Sequence, residues 1–415
     1  MRNEDTNGFV RRADMLRLIA NAMNLISPDI EHHHEMVAYI AYRVAKQMNL
    51  ESEVIMHMVY AALLHDIGSI SRENEGADKN LDEERELTAS IMKDIPGVEE
   101  IARIIQFSGI RWDLLHSMAS GNPVTLLRQS HIIYIADTVS KMLNPKIPVL
   151  LQKEKIITHL KENASTIFCP IASQSFFELS QKEEFWFTLL YAPENLFDDL
   201  CGEEIISMEE TLSMSQMLSA IVDFRSPFTA MHSAGVSAAA CKLSELMGMN
   251  HEEKTKMLIA GLLHDLGKLR ISSKILEKAG KLDEEEFAVI KEHPFYTYEI
   301  LSRVRGFEDI ARWAGYHHEK LDGSGYPFHL SQKDIPLGAK IMTCADIFSA
   351  LAETRPYREG LSKEQTLAIL DDNAEKGFIS KWIVRMIHEN YEAIAQARNA
   401  SAEKNGTRYY NMEKK

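Results

Sequence analysis

The sequence contains an internal repeat, and this repeat constrains the fold more than any other feature. When the chain is shifted by 199 residues, a gap-free alignment brings the run AALLHD onto the run AGLLHD. His65 then falls on His264, and His33 falls on His232. A chain of 415 residues is long enough for two domains of ordinary size. We therefore expect two copies of one domain.

Both copies are predicted to be helical. Apolar residues recur at intervals of three and four in segments such as MLRLIANAMNLI and SQMLSAIVDF, which is the pattern of an amphipathic helix. Strand signals are few, and the turn DGSGYP must be a loop, because its glycines and proline break a helix. The predicted fold class is all-α, with tandem helical domains over residues 1–204 and 205–400 and a disordered polar tail over residues 401–415.

The composition excludes several classes of partner. The chain carries 46 basic and 61 acidic residues, a net charge of −15, which argues against a surface for long nucleic acids. A small anionic substrate is still allowed, because bound metals and local cations reverse the field inside a site. The apolar runs are too short to cross a membrane, and the first residues lack the apolar core of a signal peptide. Four scattered cysteines without a CxxC pair indicate reduced thiols, so we expect a cytoplasmic protein.

Five histidines and two aspartates of the second copy stand at intervals that helices can bring together. They are His232, His264, Asp265, His293, His317, His318 and Asp346. Imidazole with carboxylate, and no cysteine among them, suits iron, manganese or another divalent metal better than a structural zinc. A carboxylate such as Asp265 can bridge two metals, and two metals about 3.5–4 Å apart are a common arrangement for cleaving phosphoesters. The alternative, in which these histidines are satisfied core residues, is disfavoured because three motifs match together.

The motifs HDLGK, HHE and DGSGYP resemble those of the HD-GYP family. That family is a branch of the HD metal-dependent phosphohydrolases that linearises bacterial cyclic dinucleotides, chiefly cyclic di-GMP. The resemblance covers roughly residues 206–395. It implies two tandem HD-type domains, the second with a GYP loop. It also implies that the seven residues named above are the metal ligands.

The resemblance implies catalytic roles for two residues of the HDLGK motif. Asp265 is expected to bridge the metals, and Lys268 is expected beside the scissile phosphate, where it neutralises charge or protonates the leaving oxygen. Some family members bind a third metal through a carboxylate one helical turn before the first histidine. Phe228 stands at that position in this chain. We therefore expect two divalent metal ions, iron or manganese.

Substrate-binding residues are implied in two further segments. Gly325, Tyr326 and Pro327 form the loop that gives the family its name, and Tyr326 either stacks on a base or packs the loop. Arg355 and Arg358 match positions that hold the phosphates of the substrate in family members. The alternative for these two arginines is a surface position after a helix.

The first copy lacks most of these residues. Ser108 and Gly109 stand at the positions of the paired histidines, Glu84 replaces the lone histidine, and the DGSGYP turn has no counterpart. The residues that remain are His33, His65, Asp66 and Asp137. This set can hold one metal or persist for packing, and we expect the neighbouring His32 and His34 to be solvated. We expect the first copy to be regulatory or dimerising, which allows a homodimer through this domain.

Three functions remain open from the sequence. The leading one is an enzyme that hydrolyses cyclic di-GMP to linear pGpG, to GMP or to both. A related enzyme would hydrolyse 3'3'-cyclic GMP-AMP. A third function, from another class, is a sensor that binds the cyclic dinucleotide and signals through a partner. The complete ligand set of the second copy argues against a sensor there, whereas the reduced set of the first copy supports one.

Overall fold

The structure is a computed structural model that describes residues 9–26, 32–68, 85–89, 92, 98–118, 123–191, 193–224, 232–278, 280–353 and 360–413. Regular strands in these ranges are limited to β1 (Val10–Arg11) and β2 (Ile205–Ile206), and the remaining regular structure is helical. The predicted all-α fold class is confirmed. None of the described helices is long and apolar enough to cross a membrane.

The chain divides into two compact units. The first unit spans residues 19–204, and the second unit combines residues 205–415 with the start of the chain up to residue 18. This division differs from the prediction at the start of the chain, because the prediction placed residues 1–204 in the first domain.

A short strand pairing binds the start of the chain into the second unit. β1 runs antiparallel to β2, with Val10 opposite Ile206. Nη1 of Arg12 donates to Oε1 of Glu210 at 2.6 Å. A strand of two residues is too short to show an alternating pattern, so the sequence could not predict this pairing.

The first unit is built from helices around α2, and a further helical stretch covers residues 85–89. The helix α1 (Arg12–Ile26) leads into it. The other helices are α2 (His33–Gln47), α3 (Ser52–Leu64), α4 (Glu99–Phe107), α5 (Trp112–Met118), α6 (Val124–Met142), α7 (Val149–Glu162), α8 (Pro170–Ser180), α9 (Glu183–Tyr191) and α10 (Asn195–Cys201). α2 packs against α3 and α6, and α4 packs against the same two helices.

The second unit repeats this arrangement around α12. Its helices are α11 (Met208–Phe224), α12 (His232–Leu246), α13 (His251–Leu263), a 3-10 helix (Leu266–Arg270), α14 (Ser273–Leu276), α15 (Glu284–Ile290), α16 (His293–Leu301), α17 (Glu308–Gly315), α18 (Leu337–Ala352), α19 (Lys363–Glu375) and α20 (Lys381–Glu413). α12 packs against α13 and α18, and α17 packs against the same two helices. The packing of each unit therefore follows the repeat in the sequence.

One hydrogen bond recurs in both units after the His-Asp dyad. The backbone N–H of Gly68 donates to Oγ1 of Thr88 at 2.8 Å, and the N–H of Gly267 donates to Oγ1 of Thr297 at 2.9 Å. In each unit the bond ties the turn after the dyad to a later helical segment. The repeat therefore extends to individual contacts.

The last described helix reaches into residues 401–415, the segment for which a disordered tail stays a prediction. Helix α20 continues to Glu413, with a non-helical backbone conformation at Asn390. The last segment is polar, but it contains alanine, glutamate, lysine and arginine, which favour a helix, and no proline.

Candidate metal centre

Six of the seven predicted ligands form two triads in the second unit. Nε2 of His232 lies 3.1 Å from Oδ1 of Asp346, and His264 offers a ligand atom within 4.8 Å of both. We call His232, His264 and Asp346 the inner triad. His293, His317 and His318 offer ligand atoms within 4.8 Å of one another, and we call them the outer triad.

Asp265, the seventh predicted ligand, lies between the two triads. Its Oδ2 atom is 3.3 Å from Nε2 of His264, whereas its Oδ1 atom is 3.3 Å from Nε2 of His293. The side chain is buried. Burial alone would raise the pKa of this carboxyl, but the neighbouring His264 and Lys268 hold the pKa well below its usual range. Asp265 is therefore a carboxylate whose two oxygens face different triads.

Three of the imidazoles are oriented by a backbone carbonyl that lies three residues earlier in the chain. Nδ1 of each ring donates to the carbonyl oxygen three residues earlier, at 2.8 Å for His264, 2.7 Å for His293 and 2.6 Å for His317. This bond fixes the tautomer and leaves Nε2 with its lone pair. The Nε2 atoms of His293 and His317 face each other at 3.2 Å. Lone pairs that converge in this way suit a metal ion, so the residues fit the group that the motifs imply.

His232 faces an acidic side chain instead of a carbonyl. Its Nδ1 atom lies 3.4 Å from Oε2 of Glu353, which is itself buried. Burial alone lowers the pKa of His232, but the carboxylates of Asp346 and Glu353 outweigh this effect and raise the pKa to about 10. In the outer triad, burial and the nearby His293 lower the pKa of His318 to about 3. Glu353 lies outside every motif of the sequence, so the sequence did not indicate its position behind His232.

Gly267 explains why the HDLGK motif contains a glycine. A Cβ at this position would collide with the backbone carbonyl of His293. The missing side chain therefore lets the 3-10 helix pack against the start of α16, and this brings Asp265 within reach of His293. Lys268, from the same 3-10 helix, donates from Nζ to Oδ2 of Asp265 at 2.5 Å. The two predicted catalytic residues are thus in direct contact.

The segment before His293 begins at a well-formed helix cap. The side chain of Asp283 accepts from the N–H of Glu286, and Glu286 returns the bond to Asp283, which is a capping box. The helix that this capping box starts ends at Ile290, and His293 begins the next helix, α16.

The GYP loop supports the outer triad. A Cβ on Gly325 would collide with the backbone of Glu319 and Lys320, so the loop lies directly against the end of the HHE motif. The ring of Tyr326, which precedes a cis peptide bond to Pro327, lies 5.0 Å from the ring of His318. Tyr326, one of the loop residues that we predicted for substrate binding, therefore contacts His318, a predicted metal ligand.

Glu319 holds the residues that follow the GYP motif through two hydrogen bonds. Its side chain is buried, and its two oxygens accept from the N–H of Phe328 at 2.7 Å and from the N–H of Leu330 at 2.9 Å. Charged hydrogen bonds of this kind are stronger than neutral ones. Glu319 belongs to the HHE motif, but the sequence indicated no role for it.

Three residues of the prediction lie outside the described residues. They are Arg355 and Arg358, expected to hold the phosphates of the substrate, and Phe228, expected to exclude a third metal.

The first unit holds a smaller cluster. His33, His65, Asp66 and Asp137 offer ligand atoms within 4.8 Å of one another. Oδ1 of Asp137 lies 3.4 Å from Nε2 of His33 and 3.3 Å from Nε2 of His65. Burial alone lowers the pKa of His33, but Asp137 and Asp66 outweigh it and raise the pKa to about 9. These residues stand where the repeat places the inner triad and Asp265.

His34 is not solvated, contrary to our expectation. It is 2% exposed, and its ring lies 5.6 Å from that of His65. Burial and the neighbouring His33 lower its pKa well below the usual value. The reason is that the first turns of α2 are buried on nearly all sides. The helix therefore has no solvent-exposed face at His34. His32, which precedes the helix, is exposed as expected.

Comparisons with known proteins find one HD domain around each of the two clusters. The HD domain family matches residues 30–142, and a second family model, also described as HD domain, matches residues 216–379. The 3'3'-cGAMP-specific phosphodiesterase 1 of Vibrio cholerae is 29% identical over 401 residues, which cover 91% of this chain and 91% of that protein.

Other relatives align with only part of this chain. The 3'3'-cGAMP-specific phosphodiesterase 3 of Vibrio cholerae is 43% identical over 153 residues, which cover 37% of this chain and 33% of that protein. The cyclic di-GMP phosphodiesterase response regulator RpfG of Xanthomonas campestris is 40% identical over 163 residues, which cover 39% of this chain and 42% of that protein.

A solved structure shares the fold over nearly the whole chain. It is a crystal structure of a cyclic GMP-AMP specific phosphodiesterase of Vibrio cholerae, with a TM-score of 0.59 and 21% identity. The match covers 94% of this chain and 98% of that one. The chain thus contains two HD domains, and the GYP motif that resembles the HD-GYP family lies in the second of them.

Proposed function

We propose that this chain is a metal-dependent phosphodiesterase that hydrolyses a cyclic dinucleotide in its second unit. The observation that carries the proposal is the position of Asp265, whose two carboxylate oxygens face the inner and the outer triad. A carboxylate in this position is suited to join two divalent metal ions. We propose iron or manganese, because the ligands are nitrogen and oxygen atoms without sulfur.

Each triad would hold one divalent ion, and Asp265 would contribute to holding both. Two divalent ions held in this way activate water and stabilise negative charge on a phosphoryl oxygen. The chain itself contributes the orientation of the ligands through the Nδ1 bonds of the histidines. Because three rings are fixed by backbone carbonyls, little rearrangement is needed on metal binding.

Lys268 is the residue that we propose as the electrostatic partner of the scissile phosphate. Its ammonium group lies at Oδ2 of Asp265, so it remains close to the metal centre. It can neutralise the negative charge that develops on the phosphoryl oxygens, or donate a proton to the leaving 3' oxygen. Tyr326 lies at the edge of the outer triad and offers a ring face to a base. Arg355 and Arg358 remain predicted phosphate ligands.

Two cyclic dinucleotides are candidates for the substrate. The relative that aligns over both units is named for 3'3'-cGAMP, which favours cyclic GMP-AMP. Cyclic di-GMP, which the sequence analysis placed first, is favoured by RpfG, which is more similar over a shorter segment. The third candidate, a sensor without hydrolysis, is disfavoured for the second unit by its complete ligand set. A dimer through the first unit and cytoplasmic residence remain predictions.

The test is hydrolysis by the purified full-length chain. The protein is loaded with manganese or ferrous iron and incubated separately with cyclic di-GMP and 3'3'-cyclic GMP-AMP, and the products are separated by chromatography. We expect the cyclic substrate to become the linear dinucleotide, and the ratio of kcat/KM values identifies the preferred substrate. Binding of both compounds without a product would favour the sensor and contradict the proposal.

A further inference from the structure

The first unit contains a cavity beside its four-residue cluster. The cavity has a volume of about 310 Å³, and its walls include His65, Asp66 and Asp137 of the cluster. Small-molecule sites commonly have volumes of about 300–1,000 Å³, so this cavity is near the lower end of that range. Ser108 and Gly109, which stand at the positions of the paired histidines of the second unit, form another part of the wall. The loss of two imidazole rings therefore leaves space next to the cluster.

Two cations line this cavity and have no counterpart in the second unit. They are Arg85 and Lys141, and the repeat alignment places Pro294 and Ala350 at these positions. The guanidinium group of Arg85 lies so close to Gly109 that a Cβ there would collide with it. Arg85 therefore brings a positive charge next to the position that His318, a residue of the outer triad, occupies in the other copy.

We propose that this cavity binds a small phosphate ester of mononucleotide size, with its phosphate between Arg85 and a metal ion at the four-residue cluster. In the second unit the outer triad lies beside Asp265. At the corresponding position the first unit has the guanidinium group of Arg85. A guanidinium group binds phosphate through paired N–H donors but does not activate water. The exchange therefore retains phosphate binding and loses the second metal.

The walls of the cavity also suit the remainder of such a ligand. The ring of Tyr134 contributes to the wall and offers an aromatic face to a base. Nζ of Lys141 bonds Oδ2 of Asp137 at 2.8 Å, which places a second positive charge at the edge of the cluster. A mononucleotide has half the atoms of a cyclic dinucleotide and suits the small volume better. The first unit would then have a ligand of its own, which goes beyond the hydrolysis proposed for the second unit.

Calorimetry on the full-length chain tests this site. The background variant His264→Ala/Asp265→Ala disables the second unit, and the protein is saturated with manganese. Inorganic phosphate, GMP and guanosine are titrated separately, so that the contribution of the phosphate is distinguished from that of the nucleoside. We expect phosphate and GMP to bind, GMP more tightly, and guanosine to give no measurable binding.

Variants in the same background locate the site. Arg85→Gln should weaken GMP binding by at least about tenfold while the manganese content stays unchanged. Arg85→Lys retains the charge without the paired donors, and we expect an intermediate affinity. Arg103→Gln, at an exposed arginine paired with Glu100, should bind GMP like the background protein. Asp137→Asn should lose manganese from the first unit together with GMP binding.

The proposal would be overturned by any of three results. The first is unchanged GMP affinity in Arg85→Gln with its manganese content intact. The second is guanosine binding as tight as GMP binding, since this would leave no role for the phosphate. The third is the absence of binding by phosphate and GMP in the background protein while its first unit holds manganese.

Discussion

Glu353 lies 3.4 Å from Nδ1 of His232, measured to its Oε2 atom, at a place where neighbouring histidines use a backbone carbonyl. A carboxylate behind a ligating imidazole holds the ring and increases its basicity. We predict that Glu353→Gln, which preserves the shape but removes the charge, weakens metal binding at the inner triad about 10–100-fold. A chelator competition titration measures this effect.

The matched control is Glu389→Gln, at an exposed glutamate paired with Arg385. It should leave the competition curve unchanged. An unaltered curve for Glu353→Gln would mean that Glu353 does not support the metal ligand.

The second unit should hold two metal ions. The reason is that the two triads and Asp265 provide ligands for two metal ions. Phe228 offers no oxygen at the position where family members with a third metal ion have its ligand. Elemental analysis of the full-length variant His65→Ala/Asp66→Ala isolates the second unit, because this variant lacks ligands of the first cluster. We predict two ions per chain. Three tightly bound ions in that variant would show that the argument from Phe228 is wrong.

Asp223 should make stability depend on pH in the metal-free protein. Burial raises its pKa to about 7 from 3.8, and Oγ of Ser233 donates to its Oδ1 atom at 2.6 Å. Because the folded pKa is raised, the neutral form is the stabilised one. Its contribution is complete below about pH 4 and is lost as the pH rises through about 7. We predict that Asp223→Asn removes this loss.

The measurement is denaturant unfolding of metal-free wild type and Asp223→Asn between about pH 4 and 8. The free energy of unfolding of the variant should rise relative to wild type by about 2–4 kcal/mol across this range. Parallel profiles for the two proteins would contradict the prediction. The comparison isolates Asp223, since other titrating groups are common to both proteins.

The start of the chain should stabilise the second unit. Val10 is 1% exposed and lies in β1, which pairs with β2. Val10→Asp would bury an unpaired charge, which is costly, and should therefore loosen this strand pair. We predict faster hydrogen exchange in peptides from residues 205–224 than in wild type, with no change in peptides from residues 149–191. The reverse pattern would place the start of the chain with the first unit.

The sequence predicted the repeat, the helical fold and the residues of both clusters, because each of these leaves a local or periodic trace. A histidine at a helix end and an aspartate one position later are visible as a motif. Glu353 and Glu319 were missed because their roles depend on distances across the fold, to His232 and to the N–H groups of the GYP loop. The burial of His34 was missed for the same reason.

The role proposed for Arg85 could not be predicted from the sequence either. It lies in no motif, and its importance comes from the space that Gly109 leaves for its guanidinium group. That contact joins residues that are far apart in the sequence. A residue that replaces a lost function can therefore be recognised only once the fold brings it to the vacated position.

The most direct test of the account compares two double variants in one hydrolysis assay. His264→Ala/Asp265→Ala removes residues of the centre in the second unit, and His65→Ala/Asp66→Ala removes their equivalents in the first unit. We predict that the first variant loses hydrolysis of cyclic dinucleotides, at least about a thousandfold in kcat. The second should retain most of the wild-type kcat. Intact turnover in His264→Ala/Asp265→Ala would contradict the assignment of catalysis to the second unit.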